Sequence, residues 1–307
     1  MNRSTKVILI SSGVLIGAGI ILGGIGLAVS GDRLRSANVE YIRKEEVITE
    51  DFSNILMQEI SSDIRILPSD DGNTRIVYYD TNLMEHEIVT ENDTLKVLYE
   101  DNSEGTHWWQ HVNFNFSFND DPEDHDTILY LPEDSYGNLS IEGVSSDISV
   151  PEGFGFNNID VTAISGNISV LAAASGNISA NTTSGDVILS SGTPSSAEIS
   201  VISGDISISD MQIAGRLNLN TTSGKMTLSR VDAGSCAFNT ISGDITFADF
   251  SAGSIDINTT SGDISGNVIG EYHFDVNTTS GEINLPDNIS SGLEFDISTI
   301  SGDVDLR

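Results

Sequence analysis

The chain has little of what several large function classes need. A single Cys in 307 residues excludes an intrachain disulfide framework. Only 13 Lys and Arg oppose 46 Asp and Glu, for a formal charge of −33. Because phosphate contacts require cationic side chains, nucleic acid is excluded as a partner, and anionic lipid surfaces are disfavoured. There is no G-x-S-x-G, H-E-x-x-H or phosphate-loop motif, so we expect no enzyme.

What the chain does have is a tripeptide that returns at a regular step. Ser-Gly is followed by an acid or an amide, and once by a lysine, at steps of 19 to 21 residues. The copies begin at Ser165, Ser184, Ser203, Ser223, Ser242, Ser261, Ser280 and Ser301, and a degenerate copy begins at Ser145. Such a step indicates one supersecondary unit copied along the chain.

Each copy carries two pairs of apolar residues, one before and one after Ser-Gly, and each pair encloses one residue. Among the pairs before Ser-Gly are Ile159/Val161, Ile178/Ala180 and Cys236/Phe238, so we expect Cys236 to be a buried core residue. Period-two alternation is typical of a strand with one buried face. The odd gap between the pairs, for example from Ala180 to Val187, requires a bend, which the glycine permits. With a looser return of about five to eight residues, the pattern predicts an all-β, β-helix-like parallel β-solenoid with coils of about 19 residues. A β-sandwich is the alternative, but its strands lack a common 19-residue register.

The predicted organisation has five parts. They are a short tail at 1–6, a transmembrane anchor at 7–29, a charged connector at 30–54, irregular β coils at 55–137 with an insertion loop at 101–126, and regular repeats at 138–307. The anchor is an uncharged run of 23 residues, long enough to cross a bilayer, and a cleaved signal peptide is its alternative. The positive-inside rule favours an internal solenoid, whereas its acidic, Ser/Thr/Asn/Gly-rich composition favours the outside. We predict a single-pass cell-membrane protein whose solenoid is extracellular.

The residues also resemble a known family. Ile60–Ile66, the run Ile128-Leu129-Tyr130-Leu131-Pro132 and the serial TSGD and ISGD coils resemble the bacterial DUF4097 family of candidate adhesins, over about residues 55–307. The chain is also similar to the membrane-anchored accessory proteins of the Lia envelope-stress system in Gram-positive bacteria. The resemblance implies a cell-envelope surface protein that binds cell-wall or host glycans, or a membrane protein, and it brings no catalytic residues. An accessory role in stress sensing is the main alternative, ahead of a polysaccharide-active enzyme.

The residue after each Ser-Gly forms a column of acids. The candidate cation ligands in it are Asp186, Asp205, Asp244, Asp263, Glu282 and Asp303. Neighbours in stacked coils lie about 4.8 Å apart, and Ca²⁺ favours such carboxylate oxygens. The alternative is a solvated row of turn residues, in which Asp follows Gly for conformational reasons. A neighbouring Asn-Thr-Thr column predicts stacked amide and hydroxyl ladders, with glycosylation sequons as its alternative.

The most unusual local string is His107-Trp108-Trp109-Gln110-His111. Exposed aromatic residues on a loop often contact a sugar ring or a protein partner, so Trp108, Trp109, His107 and His111 are candidate ligand-binding residues. Capping of the open solenoid end by the two tryptophans is the alternative. A metal held by the two histidines needs helical spacing, which the strand-like sequence after them disfavours.

Overall fold

The structure is a computed structural model that describes residues 41–81, 84–101 and 125–307. The predicted membrane span at 7–29 lies outside them, and among the described residues no helix is long and apolar enough to cross a bilayer. The elements are strands. Those before the regular repeats are β1 Tyr41–Ile48, β2 Asn54–Glu59, β3 Ile64–Pro68, β4 Thr74–Thr81, β5 Met84–Glu91, β6 Thr94–Asp101 and β7 Thr127–Leu131.

The repeats supply the remaining strands. They are β8 Ser135–Ser145, β9 Ile148–Val150, β10 Gly155–Ser165, β11 Ile168–Val170, β12 Ala173–Ala174, β13 Asn177–Ser184, β14 Val187–Ser190, β15 Ser196–Ser203, β16 Ile206–Ser223, β17 Met226–Ser242, β18 Ile245–Ala252, β19 Ile255–Asn258, β20 Ile264–Val268, β21 Tyr272–Asn277, β22 Ile283–Asn284, β23 Leu293–Ser298 and β24 Val304–Leu306. Between neighbouring coils their pairing is parallel, which confirms the predicted β-solenoid.

The predicted apolar pairs lie in two sheets that meet at the Ser-Gly corner. In the first sheet, Ile159 stands between Leu139 and Ile178 of the adjacent coils, and all three side chains are buried. In the second sheet, Ile168 stands between Ile148 and Val187 in the same way. Stacking these columns gives one continuous hydrophobic core inside the coils. The inward Cys236 is buried in it, as the sequence predicts, and burial raises the pKa of its thiol.

The corner glycines have a backbone conformation that other residues rarely adopt. Gly185 and Gly204 have φ of +143° and +145°. A Cβ added to Gly204 would lie 2.1 Å from the carbonyl oxygen of Gly185 in the coil below. Glycine is therefore required both for the bend and for the close approach of successive coils.

The return segment is more ordered than the loose connection that the sequence predicted. In part of the stack it forms a third sheet, in which Met211 lies opposite Val231 and Ala233 lies opposite Ala252. The strands β16 and β17 continue through this corner without interruption, at Asp210 and Arg230 with φ of +56° and +54°. The coil is thus three-sided here, because the return also carries alternating apolar residues that reach the core.

The N-terminal end is covered by antiparallel strands. β5 pairs with β6, β4 pairs with β7, and β1 pairs with β4. Residues 41–48, which the sequence placed in a charged connector, therefore form a strand. In β7 the buried apolar side chains are Leu129 and Leu131, whereas Ile128 and Tyr130 are only half-buried. An unbroken apolar run does not reveal by itself which alternate residues face the core.

The coils at both ends stack out of chain order. The coil at 54–68, made by β2 and β3, lies between the coil of β6 and β7 and the coil of β8 and β9. At the other end, β23 lies between β19 and β21, and β24 lies between β20 and β22. The last coil in the sequence is therefore an inner coil, and residues 272–285 form the outer one.

Candidate functional site

The acidic column at the Ser-Gly corner is a hydrogen-bonded ladder. The backbone N–H of Asp205 donates to Asp186 Oδ1 at 2.8 Å, and the N–H of Lys225 donates to Asp205 Oδ1 at 2.7 Å. The same bond joins Asp263 to Asp244 at 2.9 Å. Near the C-terminal end the ladder follows the stacking order and not the chain order. The backbone N–H of Asp303 donates to Asp263 Oδ1 at 2.9 Å, and the backbone N–H of Glu282 donates to Asp303 Oδ1 at 2.8 Å. Each accepting carboxylate thus bonds the backbone of the next coil in the stack.

This ladder accounts for short polar side chains at the position without any ion. All the column's side chains are exposed, and one carboxylate oxygen of each bonded acid is occupied by an N–H group. In the part of the chain that the structure describes, no three His, Cys, Asp or Glu residues are grouped to hold a metal ion. Calcium binding by the column stays a prediction, which a titration of the protein with Ca²⁺ tests.

The ladder predicts that the acceptor oxygen matters more than the charge. Asp205→Ala leaves the Lys225 N–H without its side-chain acceptor, and we expect a loss of about 1 kcal/mol in the free energy of unfolding. Asp205→Asn keeps the acceptor and is expected to be close to neutral, because Asn167 already accepts from Asp186 N–H at 2.9 Å. Urea denaturation of both variants measures this. An equal loss in both variants would show that the charge is what the coil needs.

The Asn-Thr-Thr column is a ladder of amides but not of hydroxyls. Asn239 Nδ2 donates to Asn220 Oδ1 at 3.0 Å, and Asn258 Nδ2 lies 3.5 Å from Asn239 Oδ1. The first threonine of each motif points inward instead. Within the described residues, the buried Oγ1 atoms of Thr221 and Thr240 have no hydrogen-bond partner. The amide half of the predicted ladder is confirmed, and the threonines serve as core residues at the corner.

A second acidic row lies on the outer face of the first sheet, and sequence reasoning missed it. Asp296 stands between Asp256 and Asp275 in register, and the three side chains are exposed. Partial burial, followed by the charges of Asp275 and Glu294, raises the pKa of Asp296 above its ordinary value. The sequence does contain a signal for this row, because each of these aspartates is the residue enclosed by an apolar pair and therefore faces outward. We call Asp256, Asp275, Asp296 and Glu294 the acidic face.

A buried polar cluster lies beneath the N-terminal cap and was also missed. His86 Nε2 lies 2.9 Å from Glu59 Oε1, and His86 Nδ1 lies 2.9 Å from Asp80 Oδ1. Thr127 donates to Glu59, and Lys44 pairs with Asp80. Burial alone lowers the pKa of His86, but the hydrogen bonds and charges of Glu59 and Asp80 outweigh it and raise that pKa. Both ring nitrogens face carboxylate oxygens, which accept hydrogen bonds when ionised, so the geometry favours the protonated ring.

This cluster is structural and not a catalytic centre. The side chains of Glu59 and His86 have no solvent-exposed surface, and that of Asp80 has only 2%. No substrate reaches groups that are closed off in this way. Its residues lie far apart in the sequence, so their meeting depends on the cap topology and carries no local sequence signal.

The predicted aromatic and histidine site is not among the described residues. Trp108, Trp109, His107 and His111 lie outside the described residues, so ligand contact and capping by them stay predictions. The nearby His125 is described, and its ring stacks on Tyr41 of β1 with ring centres 3.8 Å apart. His125 thus belongs to the N-terminal cap.

Comparison with known proteins identifies the family. The model of the Toastrack DUF4097 family matches residues 52–217 and 198–307. No curated protein matches the chain. Among solved structures, a candidate adhesin from Bacteroides fragilis is 15% identical with a TM-score of 0.43, and the match covers 87% of this chain and 97% of that one. A candidate adhesin from Parabacteroides distasonis is 12% identical with a TM-score of 0.39, covering 87% and 97%. A candidate lipid-binding protein from the same species is 13% identical with a TM-score of 0.34, covering 89% and 98%.

Proposed function

We propose that this chain, which belongs to the Toastrack DUF4097 family, works by binding at the cell envelope and not by catalysis. In this proposal the run at 7–29 anchors the protein in the cell membrane, and the solenoid stands outside it as an adhesive surface. The observation that carries the proposal is the outer face of the first sheet. Its exposed side chains repeat in register from coil to coil, so the face presents a stiff and regular array of polar groups.

The chemistry of this face favours some ligands over others. Its rows are mostly Asp, Glu, Asn, Ser and Thr side chains, with Arg216, Ala237 and His273 as exceptions, and such side chains bind hydroxyl groups and attract cations. The net charge of −33 adds a long-range field that draws cationic groups toward the surface. Wall polymers and glycans with amino groups, or a membrane protein with a basic exposed surface, have the matching chemistry. The acidic face is the strongest part of this array because four carboxylates crowd there.

The test is a binding measurement on the chain from residue 31 onward. Purified protein is mixed with bacterial wall fractions and a glycan panel, with Ca²⁺ and with a chelator. We expect saturable binding that weakens at least about threefold in the variant Asp256→Asn/Asp275→Asn/Asp296→Asn. The matched control removes three exposed acids elsewhere, in Glu50→Gln/Asp51→Asn/Asp70→Asn, and should bind as the parent does.

The outcomes of this measurement distinguish a calcium site, a direct surface contact and an accessory role. Binding that the chelator abolishes supports a calcium site on the acidic column, and binding without calcium assigns the contact to the protein surface alone. Equal weakening in both triple variants would reduce the role of the acidic face to net charge. Absence of binding to every wall and glycan sample would refute the adhesive role and leave an accessory role beside a membrane protein, which in-cell crosslinking then tests.

A further inference from the structure

The outermost strands at the two ends of the solenoid differ in their pairing. At the N-terminal end, both outer strands have antiparallel partners, because β6 pairs with β5 and β7 pairs with β4. At the C-terminal end, β21 pairs only with β23 and β22 pairs only with β24, as far as the described residues extend. The outward edge of the coil at 272–285 therefore carries backbone groups that no described strand meets. A strand edge of this kind is a template for pairing with another chain.

The hydrophobic core is also open at this end. Ile283 occupies the same column as Ile264 and Val304, which are each 1% exposed, yet 46% of the Ile283 side chain is exposed. Leu285 is only half-buried, although Leu306 in the coil below is 1% exposed. Ile283 and Leu285 are thus core residues that lack a coil above them.

A loop forms hydrogen bonds with about half of this edge, in the place that a partner strand would take. Asn288 Oδ1 accepts the backbone N–H of Phe274 at 3.1 Å, and Asn288 Nδ2 donates to the carbonyl of Phe274 at 3.1 Å. The backbone N–H of Ile289 donates to the Tyr272 carbonyl at 2.9 Å. This loop covers the start of β21 and does not pair with β22. The uncovered edge is therefore the stretch around Ile283 and Leu285, which we call the open edge.

The surroundings of the open edge are strongly negative. Residues 271–307 hold eight carboxylates and one arginine. Glu282 directly precedes β22 and is exposed, and Asp305 lies opposite Asn284, whose amide donates to it at 2.7 Å. The single arginine, Arg307, already pairs with Asp305 at 3.3 Å. A strand that joins this edge brings its own side chains next to these carboxylates, so lysine and arginine are favoured there.

The same charges disfavour a second copy of this chain as the occupant. Two open edges in contact would bring like charges together at strand spacing, which is destabilising. Pro286 follows Leu285 and has no N–H to donate, so any strand that joins the edge pairs only as far as Leu285. The end is thus protected against self-pairing but not against a basic strand.

From these observations we propose that the open edge binds an extended basic segment of a partner protein, which adds to β22 as one more strand. The segment's apolar side chains cover Ile283 and Leu285, and its alternate lysine or arginine side chains lie beside Glu282 and Asn284, with Asp305 one strand further away. Backbone hydrogen bonds to the free edge supply the affinity, and the open core positions supply the selectivity. This site differs from the lateral surface considered above in using backbone and core groups, although Asp275, Glu294 and Asp296 of the acidic face are among the eight carboxylates that make this end negative.

The test uses the full chain in detergent and a fluorescent peptide of alternating valine and lysine. We expect saturable binding by fluorescence anisotropy, and slower amide hydrogen exchange at residues 283–285 when the peptide is bound. Ile283→Lys removes an apolar contact and adds a repelling charge, so the affinity should fall by about tenfold or more. The matched control is Ile188→Lys, since Ile188 is 45% exposed on the same sheet but lies in an inner coil. It should bind within about twofold of the parent.

Other results would overturn the proposal. Absence of peptide binding, or the same loss in both lysine variants, would mean that the open edge is not a strand-binding site. Equal affinity for a valine–glutamate peptide would show that the open edge does not select basic segments. Concentration-dependent dimerisation of the parent that Ile283→Lys abolishes would assign the edge to a second copy instead.

Discussion

Replacing Gly224 by alanine is expected to destabilise the solenoid by about 3 kcal/mol or more. Gly224 has φ of +145°, and a Cβ there would lie 1.9 Å from the carbonyl oxygen of Gly204. That oxygen belongs to the backbone of the coil below, which is fixed by pairing on both sides of the corner, so it cannot move away. The melting temperature should fall by about 10 °C, since about 1 kcal/mol shifts it by 2–4 °C in a chain of this size.

The matched control separates the contact from the backbone conformation. Gly72 also has a positive φ, of +75°, but a Cβ there would meet no atom within 4 Å. Gly72→Ala is therefore expected to cost only about 1 kcal/mol, from the conformation alone. Thermal denaturation followed by circular dichroism compares the two variants. If both lose the same stability, the coils can separate at the corner and the close contact is not what holds glycine there.

Replacing His86 by alanine should have an effect of similar size for a different reason. The substitution removes the imidazolium that lies between Glu59 and Asp80 and leaves two carboxylates buried without it. Breaking a buried ion pair by removing one partner costs about 3–5 kcal/mol. The double variant Glu59→Gln/His86→Ala should recover part of the loss, because it removes one of the uncompensated charges. The free energy of unfolding in urea measures both.

The same cluster gives stability a defined pH dependence. The pKa of His86 is raised in the folded protein, because the hydrogen bonds and charges of Glu59 and Asp80 outweigh the opposing effect of burial. A histidine with a raised folded pKa contributes fully below its unfolded pKa of about 6.5, and the contribution is lost as the pH rises through the folded pKa. We therefore expect the stability difference between the parent and His86→Gln to shrink as the solution becomes alkaline.

A control histidine makes this measurement specific. His273 is exposed on β21, so His273→Gln is the control that removes an imidazole from outside the cluster. At low pH the stability depends on Asp80 instead. Burial alone raises the pKa of Asp80, but the hydrogen bonds with Lys44 and His86 outweigh burial and lower that pKa. Its contribution is lost as the pH falls. A difference between parent and His86→Gln that is constant from pH 6 to pH 10 would mean that His86 is not charged in the cluster.

The regular coils were predictable because each repeats the same local solution. The spacing of Ser-Gly, the apolar pairs and the odd gap between them determine the strands, the corner and the buried columns, and Ile159, Ile178 and Cys236 are buried where they were expected. The third sheet was less visible because the return lacks an apolar pair in some coils, as at residues 191–194, although Met211 and Ile213 lie in register with Val231 and Ala233. The acidic column was predicted, but its hydrogen bonds to the backbone of the next coil were not, since a sequence does not show where Asp186 Oδ1 points.

The ends could not be predicted from the repeat. A 19-residue period specifies what each coil looks like but not which coil is its neighbour, so the position of β23 between β19 and β21 is a tertiary result. The Glu59–His86–Asp80 cluster has the same origin, because its members meet only when β2, β4 and β5 are assembled. The open edge is likewise a result of the stacking order, which the sequence period does not specify.

The interleaved C-terminal coil also affects how the molecule is made and how it resists pulling. As the chain is synthesised, the coil at 272–285 has no partner for its inner edge until β23 and β24 have been made, so these two strands enter by insertion and not by simple addition. Once inserted, β24 pairs with β20 on one side and with β22 on the other. A force that pulls on β24 must therefore break two rows of hydrogen bonds, which makes this strand harder to peel away than the outermost strand of a solenoid stacked in chain order.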